Sequence, residues 1–216
     1  MMVRLRPFIQ VLFFLVFVAV MVQGKVQVWM LIFAGSFLAA FLLGRFFCGF
    51  ICPINTLMEL EEALLKRLGI KKRKTGFGRL KSPFLRYGLL VLFFALIIIT
   101  NVTGQKIPLL PVLTVLGAVL SLIYIPELWH RYLCPLGTAL QLPGSVSRYS
   151  LKVDGTKCNN CDACKKVCPA GAVVCKSGFS EDSIDNSADR TVIEKGLCLE
   201  CLKCIEKCSK NAIKYS

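Results

Sequence analysis

Two cysteine-rich stretches decide the fold: CNNCDACKKVCP at residues 158–169 and CLECLKCIEKCS at residues 198–209. Both follow the spacing C-x2-C-x2-C-x3-C. Three thiolates two residues apart wrap a tight loop around three irons of a cubane, and the fourth points away toward a second cubane. Pro169 ends the first motif as this pattern expects, whereas Ser209 stands at the equivalent place in the second. The repeated spacing therefore predicts two 4Fe–4S clusters in this part of the chain.

Each cluster is expected to take three ligands from one motif and the fourth from the other, as in bacterial two-cluster ferredoxins. The first ligand set is predicted to be Cys158, Cys161, Cys164 and Cys208, and the second ligand set Cys198, Cys201, Cys204 and Cys168. The alternatives are a pair of zinc ribbons or a buried cysteine core, but zinc sites usually use two C-x2-C pairs with a long spacer, and a three-plus-one spacing is very unlikely to occur twice by accident. Cys175 belongs to neither motif and is expected to be a plain buried thiol. The domain should face a reducing compartment.

Apolar composition and charge divide the 216-residue chain into two parts. Residues 1–150 contain 16 Lys and Arg residues and four acidic residues, whereas residues 151–216 contain 11 Lys and Arg residues and nine acidic residues. Nucleic acid is not an expected partner despite the net charge of +14, because the basic residues lie beside apolar runs long enough to span a bilayer. We predict a membrane domain at residues 1–143, a linker at 144–156 and a small α+β ferredoxin domain at 157–216.

Four apolar runs predict that the membrane domain is all-α with four transmembrane helices. The runs cover residues 8–22, 28–43, 84–102 and 109–125. The first run has a basic start, like a signal peptide, but no small-residue cleavage site follows, so we predict a retained helix. The loop between Lys66 and Arg86 has nine basic residues, whereas the loops after the first and third runs have one Lys each. This bias predicts a multi-pass protein of the inner (cytoplasmic) membrane with both termini cytoplasmic.

Two further features are predicted at the membrane surface. Residues 59–68 predict a short amphipathic helix with one apolar face. That face consists of Leu57, Leu60, Leu64 and Leu68. Arg45, near the end of the second apolar run, is expected to extend its side chain to the lipid headgroups.

Two related motifs end the second and fourth apolar runs: GRFFCGFICPINTL at residues 44–57 and WHRYLCPLGTAL at residues 129–140. Residues four apart share one helix face, so each motif presents two potential ligands. We hypothesise a third iron–sulfur cluster at the membrane interface. Its interfacial ligand set is Cys48, Cys52, Cys134 and His130. Two alternatives stay open: a redox-active or metal-handling thiol site, or packing cysteines with His130 as an ordinary interfacial residue.

The four runs, the two membrane motifs and the C-terminal two-cluster domain together resemble the membrane polyferredoxins of the NapH and NosR type. The resemblance covers nearly the whole chain and includes the C-x3-C-P pattern around Cys48, Cys52 and Pro53. The second motif differs, because His130 stands where the family pattern has its first Cys. Membership would imply electron transfer between the quinone pool, or another membrane donor, and a redox partner. An imidazole ligand tends to raise a cluster's potential.

The prediction for function is an iron–sulfur electron-transfer subunit of a membrane oxidoreductase complex, relaying electrons between a cytoplasmic partner and a membrane donor or acceptor. Expected partners are other subunits, the lipid bilayer and, as a candidate, quinone. We identify no dinucleotide loop, flavin motif or acid–base site, so a complete enzyme is disfavoured. The alternative is a maturation or assembly factor that reduces or reactivates a metalloenzyme through Cys48, Cys52 and Cys134. Quinone oxidation by this chain alone ranks last, because the helices show no proton-handling residue.

Overall fold

The computed structural model describes residues 2–70, 83–103, 109–176 and 190–215. The N-terminal part is helical, and the C-terminal part combines short helices with two small sheets. The helices are α1 (Met2–Val22), α2 (Val26–Leu43), α3 (Phe46–Phe50), α4 (Pro53–Arg67), α5 (Pro83–Thr103), α6 (Leu109–Ile123), α7 (Pro126–Leu128), a π-helical turn (Trp129–Leu133), α8 (Pro135–Ser145), α9 (Ala163–Val167) and α10 (Lys203–Lys207). The strands are β1 (Leu151–Val153), β2 (Val173–Lys176), β3 (Arg190–Ile193) and β4 (Ile213–Tyr215).

All four predicted apolar runs form helices. Two of them, Leu5–Val22 and Val26–Leu43, are long and apolar enough to cross a membrane. The other two described apolar stretches, Phe84–Thr100 and Leu109–Ile123, are shorter. Helices α1 and α2 form a hairpin whose turn contains Gly24 at a φ of +68°, a backbone conformation that glycine adopts without a steric penalty.

The long helices expose much of their apolar surface. Large apolar side chains point outward on all four, among them Leu15, Leu31, Val91, Ile98 and Val115. Contiguous apolar surface of this extent is unfavourable in water and is typical of contact with lipid or protein. Between the helices lies an aromatic core in which Trp29 packs edge-on against Phe17 and Phe47.

Each long helix has one end beside the membrane motifs: α1 and α5 their N-terminal ends, and α2 and α6 their C-terminal ends. Near the start of α1, the Arg6 guanidinium donates a hydrogen bond to the Gly49 carbonyl oxygen, with an Nε–O distance of 3.4 Å. Near the start of α5, Arg86 Nε donates to Thr138 Oγ1 of α8 at 3.2 Å. Helices α2 and α6 end just before the two membrane motifs. The helices therefore alternate in direction, and both motifs lie at the same end of the bundle.

The amphipathic helix predicted at residues 59–68 is the second half of the longer helix α4. Helix α4 packs closely on α6, where a side chain at Gly117 would begin 2.8 Å from Ile54 Cγ2. Of its predicted apolar face, Leu60, Leu64 and Leu68 are exposed and Leu57 is half-buried. The leucines are therefore not part of the protein core, as expected for a helix at a membrane surface.

Two features predicted from the sequence fall outside the described residues. The basic loop between Lys66 and Arg86 coincides mainly with residues 71–82, and Lys106 lies within residues 104–108.

The C-terminal domain is built from two repeats offset by 40 residues, as from Cys158 to Cys198. Strand β1 of the first repeat pairs antiparallel with β4 of the second, with Leu151 opposite Tyr215. Strand β2 of the first repeat pairs antiparallel with β3 of the second, with Val173 opposite Ile193. Each repeat therefore supplies one strand to each sheet, and the two motif loops are related by an approximate two-fold rotation.

The segment predicted as a linker, residues 144–156, contains the end of α8 and strand β1. Its middle is held against the end of α2, because the backbone N–H groups of Arg148 and Tyr149 donate to the carbonyl oxygens of Phe41 and Leu42 at 3.1 and 2.9 Å. The division into domains at residues 143 and 157 stays a prediction.

Candidate iron–sulfur sites

Both motif loops of the C-terminal domain share an unusual backbone. Asn160 and Asp162 in the first loop, and Glu200 and Leu202 in the second, all have φ between 51° and 59°. Side chains rarely adopt this left-handed conformation, which costs about 1–3 kcal/mol at such residues. Its recurrence at the same two positions of both loops indicates that the loops wrap around groups of similar shape.

The first ligand set surrounds a pocket. The four predicted cysteines, Cys158, Cys161, Cys164 and Cys208, all line it. Cys161 is exposed and the other three are half-buried, so this pocket lies at the protein surface. The structure therefore brings the fourth cysteine of the second motif to the three of the first.

The second ligand set is also brought together, but in the interior. Cys198, Cys201 and Cys204 are buried. Burial, with contributions from the neighbouring Cys201 and Cys168 thiols, raises the pKa of Cys204 to about 12. The Cys168 sulfur accepts a hydrogen bond from the Ala172 backbone N–H at 3.2 Å, an interaction that tunes cluster potentials. Buried thiols of this kind stay protonated until metal binding displaces the proton.

The spacing of the cysteines along the chain favours a cubane over a single zinc ion. Both motifs have the three-plus-one spacing C-x2-C-x2-C-x3-C of cubane ligands. A mononuclear zinc site uses two C-x2-C pairs with a long spacer. In the part of the chain that the structure describes, no three His, Cys, Asp or Glu side chains are grouped around a point that one metal ion could occupy.

Cys175 lies in β2 and is half-buried rather than fully buried as expected. Its thiol donates a hydrogen bond to Asp162 Oδ1 at 3.3 Å. That contact tethers the first motif loop to the sheet.

The three cysteines of the interfacial ligand set are buried at the end of the helical bundle. Burial raises the pKa of the Cys52 thiol, and the neighbouring Cys48 and Cys134 thiols raise it further. Burial and the neighbouring Cys48 thiol raise the pKa of Cys134 to about 11. Cys48 and Cys134, which are more than 80 residues apart in the sequence, are therefore buried in one group together with Cys52.

Cys52 and Cys134 have the same local structure. Each is the residue before a helix whose first residue is proline, Pro53 in α4 and Pro135 in α8. Proline is favoured at this position because it has no N–H to leave unpaired. The Gly137 backbone N–H donates to Cys134 Sγ at 3.3 Å. A helix N-terminus favours a negatively charged thiolate, the form that binds iron.

The prediction that each membrane motif presents its two ligands on one continuous helix face is wrong. Gly44, at a φ of +65°, ends α2, and Cys48 lies on the separate short helix α3. His130 lies in the π-helical turn, which is wider than an α-helix and shifts the side chains that share a face.

His130 is nevertheless buried in a way that suits a ligand. Its side chain is 5% exposed, and Nε2 has no hydrogen-bond partner among the described residues. Burial, with the charges of Arg45 and Lys203, lowers the pKa of His130 to about 3, so the ring is neutral at physiological pH. Neutral imidazole is the form that binds metals.

The expectation that Arg45 reaches the lipid headgroups is wrong. Its side chain is 0% exposed, and Nη1 donates to the carbonyl oxygens of Gly196 and Leu197 at 3.3 and 3.5 Å. Among the described residues, no carboxylate forms an ion pair with Arg45.

The membrane motif and the second motif loop are in direct contact. A side chain at Gly49 would begin 2.3 Å from the Leu199 carbonyl oxygen and 3.2 Å from Cys201 Cα, so only glycine fits there. Lys203 of α10 also forms an ion pair with Glu59 of α4 at 3.4 Å. Sequence patterns did not reveal either contact, because each joins residues more than 140 positions apart.

Ferredoxin families account for most of the chain. Residues 25–71 and 107–153 match the family described as "4Fe-4S binding domain", and each match contains one membrane motif. Residues 157–213 match the family described as "4Fe-4S dicluster domain". These matches confirm the prediction that the class of cofactor is the iron–sulfur cluster.

Several curated proteins are similar to the chain. An uncharacterized protein of Methanocaldococcus jannaschii is 30% identical over 181 residues, covering 82% of this chain and 66% of the relative. The ferredoxin-type protein NapH of Haemophilus influenzae is 30% identical over 193 residues, covering 80% of this chain and 62% of the relative. The ferredoxin-type protein NapH of Escherichia coli is 25% identical over 183 residues, covering 77% of this chain and 60% of the relative.

The chain thus spans somewhat less than two thirds of the length of these relatives. No solved structure matches it. The family matches and the relatives bear out the resemblance carried by the cysteine motifs, and the chain belongs to the NapH-like polyferredoxins, a family of ferredoxin-type iron–sulfur proteins.

Proposed function

We propose that this chain relays electrons through three 4Fe–4S clusters, between a cytoplasmic redox partner and a donor or acceptor in the membrane. The observation that carries the proposal is the order of the ligand sets. The first lies at the surface around the exposed Cys161, the second is buried, and the interfacial set adjoins the second through Gly49. Electrons that enter at the surface would therefore pass inward to the membrane.

The third cluster is proposed at Cys48, Cys52, Cys134 and His130. Three buried thiols and a neutral imidazole whose Nε2 has no hydrogen-bond partner within the described ranges would supply four ligands. Arg45 gives independent support, because its fully buried guanidinium pairs with no carboxylate of the described residues, and such a charge is costly unless another anion compensates it. A thiolate-ligated cluster is such an anion.

Four transmembrane helices are proposed for α1, α2, α5 and α6. Their exposed apolar side chains and alternating directions support this arrangement. The excess of basic residues in the loop before α5 supports, by the positive-inside rule, a cytoplasmic location for the cysteine motifs and both termini of an inner-membrane protein. The reducing cytoplasm also suits the thiolates of the clusters.

The proposed partners are other subunits of a membrane redox complex, with quinone as the candidate membrane substrate. The soluble partner would dock near the pocket of the first ligand set. Several lysines lie there, including Lys157, Lys165, Lys207 and Lys210, all exposed. They favour an acidic partner surface.

The alternative function, a maturation factor that acts through its membrane-motif thiols, receives less support. Thiol exchange and metal transfer need accessible, thiolate-forming cysteines. Cys48, Cys52 and Cys134 are all buried, and burial raises the pKa of each thiol. These properties suit a fixed cofactor better than a transferred cargo.

Iron content tests the three-cluster proposal. The anaerobically purified full chain is expected to contain about twelve irons, at four per cluster. The triple variant Cys48→Ala/Cys52→Ala/Cys134→Ala is expected to contain about eight, and the control Cys175→Ala about twelve. A wild-type value of about eight, unchanged in the triple variant, would contradict the interfacial cluster and leave the two-cluster domain intact.

Substitution of His130 tests its place in the interfacial ligand set. We expect His130→Cys to keep all clusters and to lower the potential of one, because imidazole ligation raises cluster potentials relative to thiolate. His130→Ala should lose the EPR signal of that cluster. The expectation fails if His130→Cys leaves every potential in an EPR-monitored redox titration unchanged.

A further inference from the structure

We propose that Arg45 is a positioning residue whose single positive charge serves two cluster sites at once, raising the potential of the interfacial cluster and, less strongly, that of the second cluster. The inference rests on the proposed function, because it requires a cluster at the interfacial ligand set.

The guanidinium reaches both sites. On one side, Nη1 donates to the carbonyl oxygens of Gly196 and Leu197, which immediately precede the ligand Cys198. On the other side, Nη2 lies beside Cys134. The point where a Gly137 side chain would begin is 2.5 Å from Nη2 and 3.5 Å from Cys134 Sγ.

Helix α8 leaves room for this side chain. A Cβ atom at Gly137 would collide with Nη2, and one at Gly144 would begin 3.0 Å from Arg45 Cγ. The two glycines lie seven residues apart, two turns along one helix face. The absence of side chains at these two positions leaves space on this face of α8 for the Arg45 side chain.

The sign of the effect follows from electrostatics. Adding an electron makes a cluster more negative, so a fixed positive charge nearby favours the reduced form, and low exposure to water keeps the interaction strong. Arginine remains charged under all physiological conditions. Two of its nitrogens, Nε and Nη2, have no hydrogen-bond partner among the described residues and are available to cluster sulfurs.

The test is an EPR-monitored redox titration of the anaerobic full chain in detergent, comparing wild type with Arg45→Gln. The interfacial cluster is expected to become at least tenfold harder to reduce, a shift of about 59 mV to more negative potential for one electron. The second cluster should shift less in the same direction, and the first should not shift. Arg45→Lys, which keeps the charge, should restore most of the potential.

Arg148→Gln serves as the matched control, because it removes an exposed arginine near the same junction and should change no potential. Three clusters with unchanged potentials in Arg45→Gln would overturn the role of Arg45 alone. A wild-type chain with only two clusters would overturn the proposed function instead. If Arg45→Gln does not fold, Arg45→Lys decides, since a tenfold shift with the charge retained would contradict the inference.

Discussion

Replacing Cys201 with alanine is expected to remove the cluster of the second ligand set and to interrupt the proposed electron relay. Cys201 is 8% exposed, and its backbone lies against Gly49 of the first membrane motif. Without its thiolate the second ligand set has three cysteines, so about four of the twelve expected irons should be lost. The first ligand set should be unaffected, because Cys208 reaches it from the far end of α10.

EPR spectroscopy of the fully reduced protein distinguishes this outcome from general damage. Neighbouring reduced clusters broaden each other's spectra through magnetic coupling. In Cys201→Ala the first cluster should give the narrow spectrum of an isolated centre. The matched variant Cys161→Ala removes an exposed ligand of the first set and should leave the coupling between the second and interfacial clusters intact. Persisting coupling to the first cluster in Cys201→Ala would show that another centre lies beside it.

Replacing Gly49 with alanine is expected to separate the second cluster from the membrane motif. The new Cβ would lie 2.3 Å from the Leu199 carbonyl oxygen, and ordinary contact begins at 3.4 Å. Because the obstacle is backbone rather than a flexible side chain, the motif loop must move. Overpacking of this kind costs about 1–3 kcal/mol. We expect a lower thermal unfolding temperature and weaker magnetic coupling between the second and interfacial clusters.

Gly35→Ala is the matched control for this substitution. Gly35 lies in α2 and has no atom within 4 Å of the position that a Cβ would occupy. It should leave both the unfolding temperature and the coupling at their wild-type values. Wild-type coupling in Gly49→Ala would mean that the junction between α3 and the motif loop is not the electron path.

The parts of this protein that local sequence determines were predictable. Cysteine spacing within each motif confines the thiols to one loop, and the structure brings the two predicted ligand sets of the C-terminal domain together. Apolar runs likewise predicted the four long helices, because length and hydropathy are local properties. The helices α2 and α6 end at residues 43 and 123, at or near the predicted boundaries.

Features that depend on distant contacts were not predictable in the same way. Arg45 was expected at the headgroups because a run of apolar residues precedes it, yet its hydrogen-bond acceptors lie 151 and 152 residues away. A single sequence gives no sign of that pairing. The helix-face argument for His130 also failed for a physical reason. It assumed a regular α-helix, whereas the chain forms a π-helical turn.

The ion pairs and hydrogen bonds between the helices and the C-terminal domain fix the position of the first ligand set relative to the helices. Glu59 of α4 is paired with both Arg6 of α1 and Lys203 of α10, and Arg131 Nη1 donates to the Gly171 carbonyl oxygen at 3.3 Å. Such tethers on two sides prevent the domain from swinging like an arm on a flexible hinge. If the helices span the membrane as proposed, a redox partner must reach the first ligand set at a fixed distance from the lipid surface, which restricts the shape of any protein that can bind there.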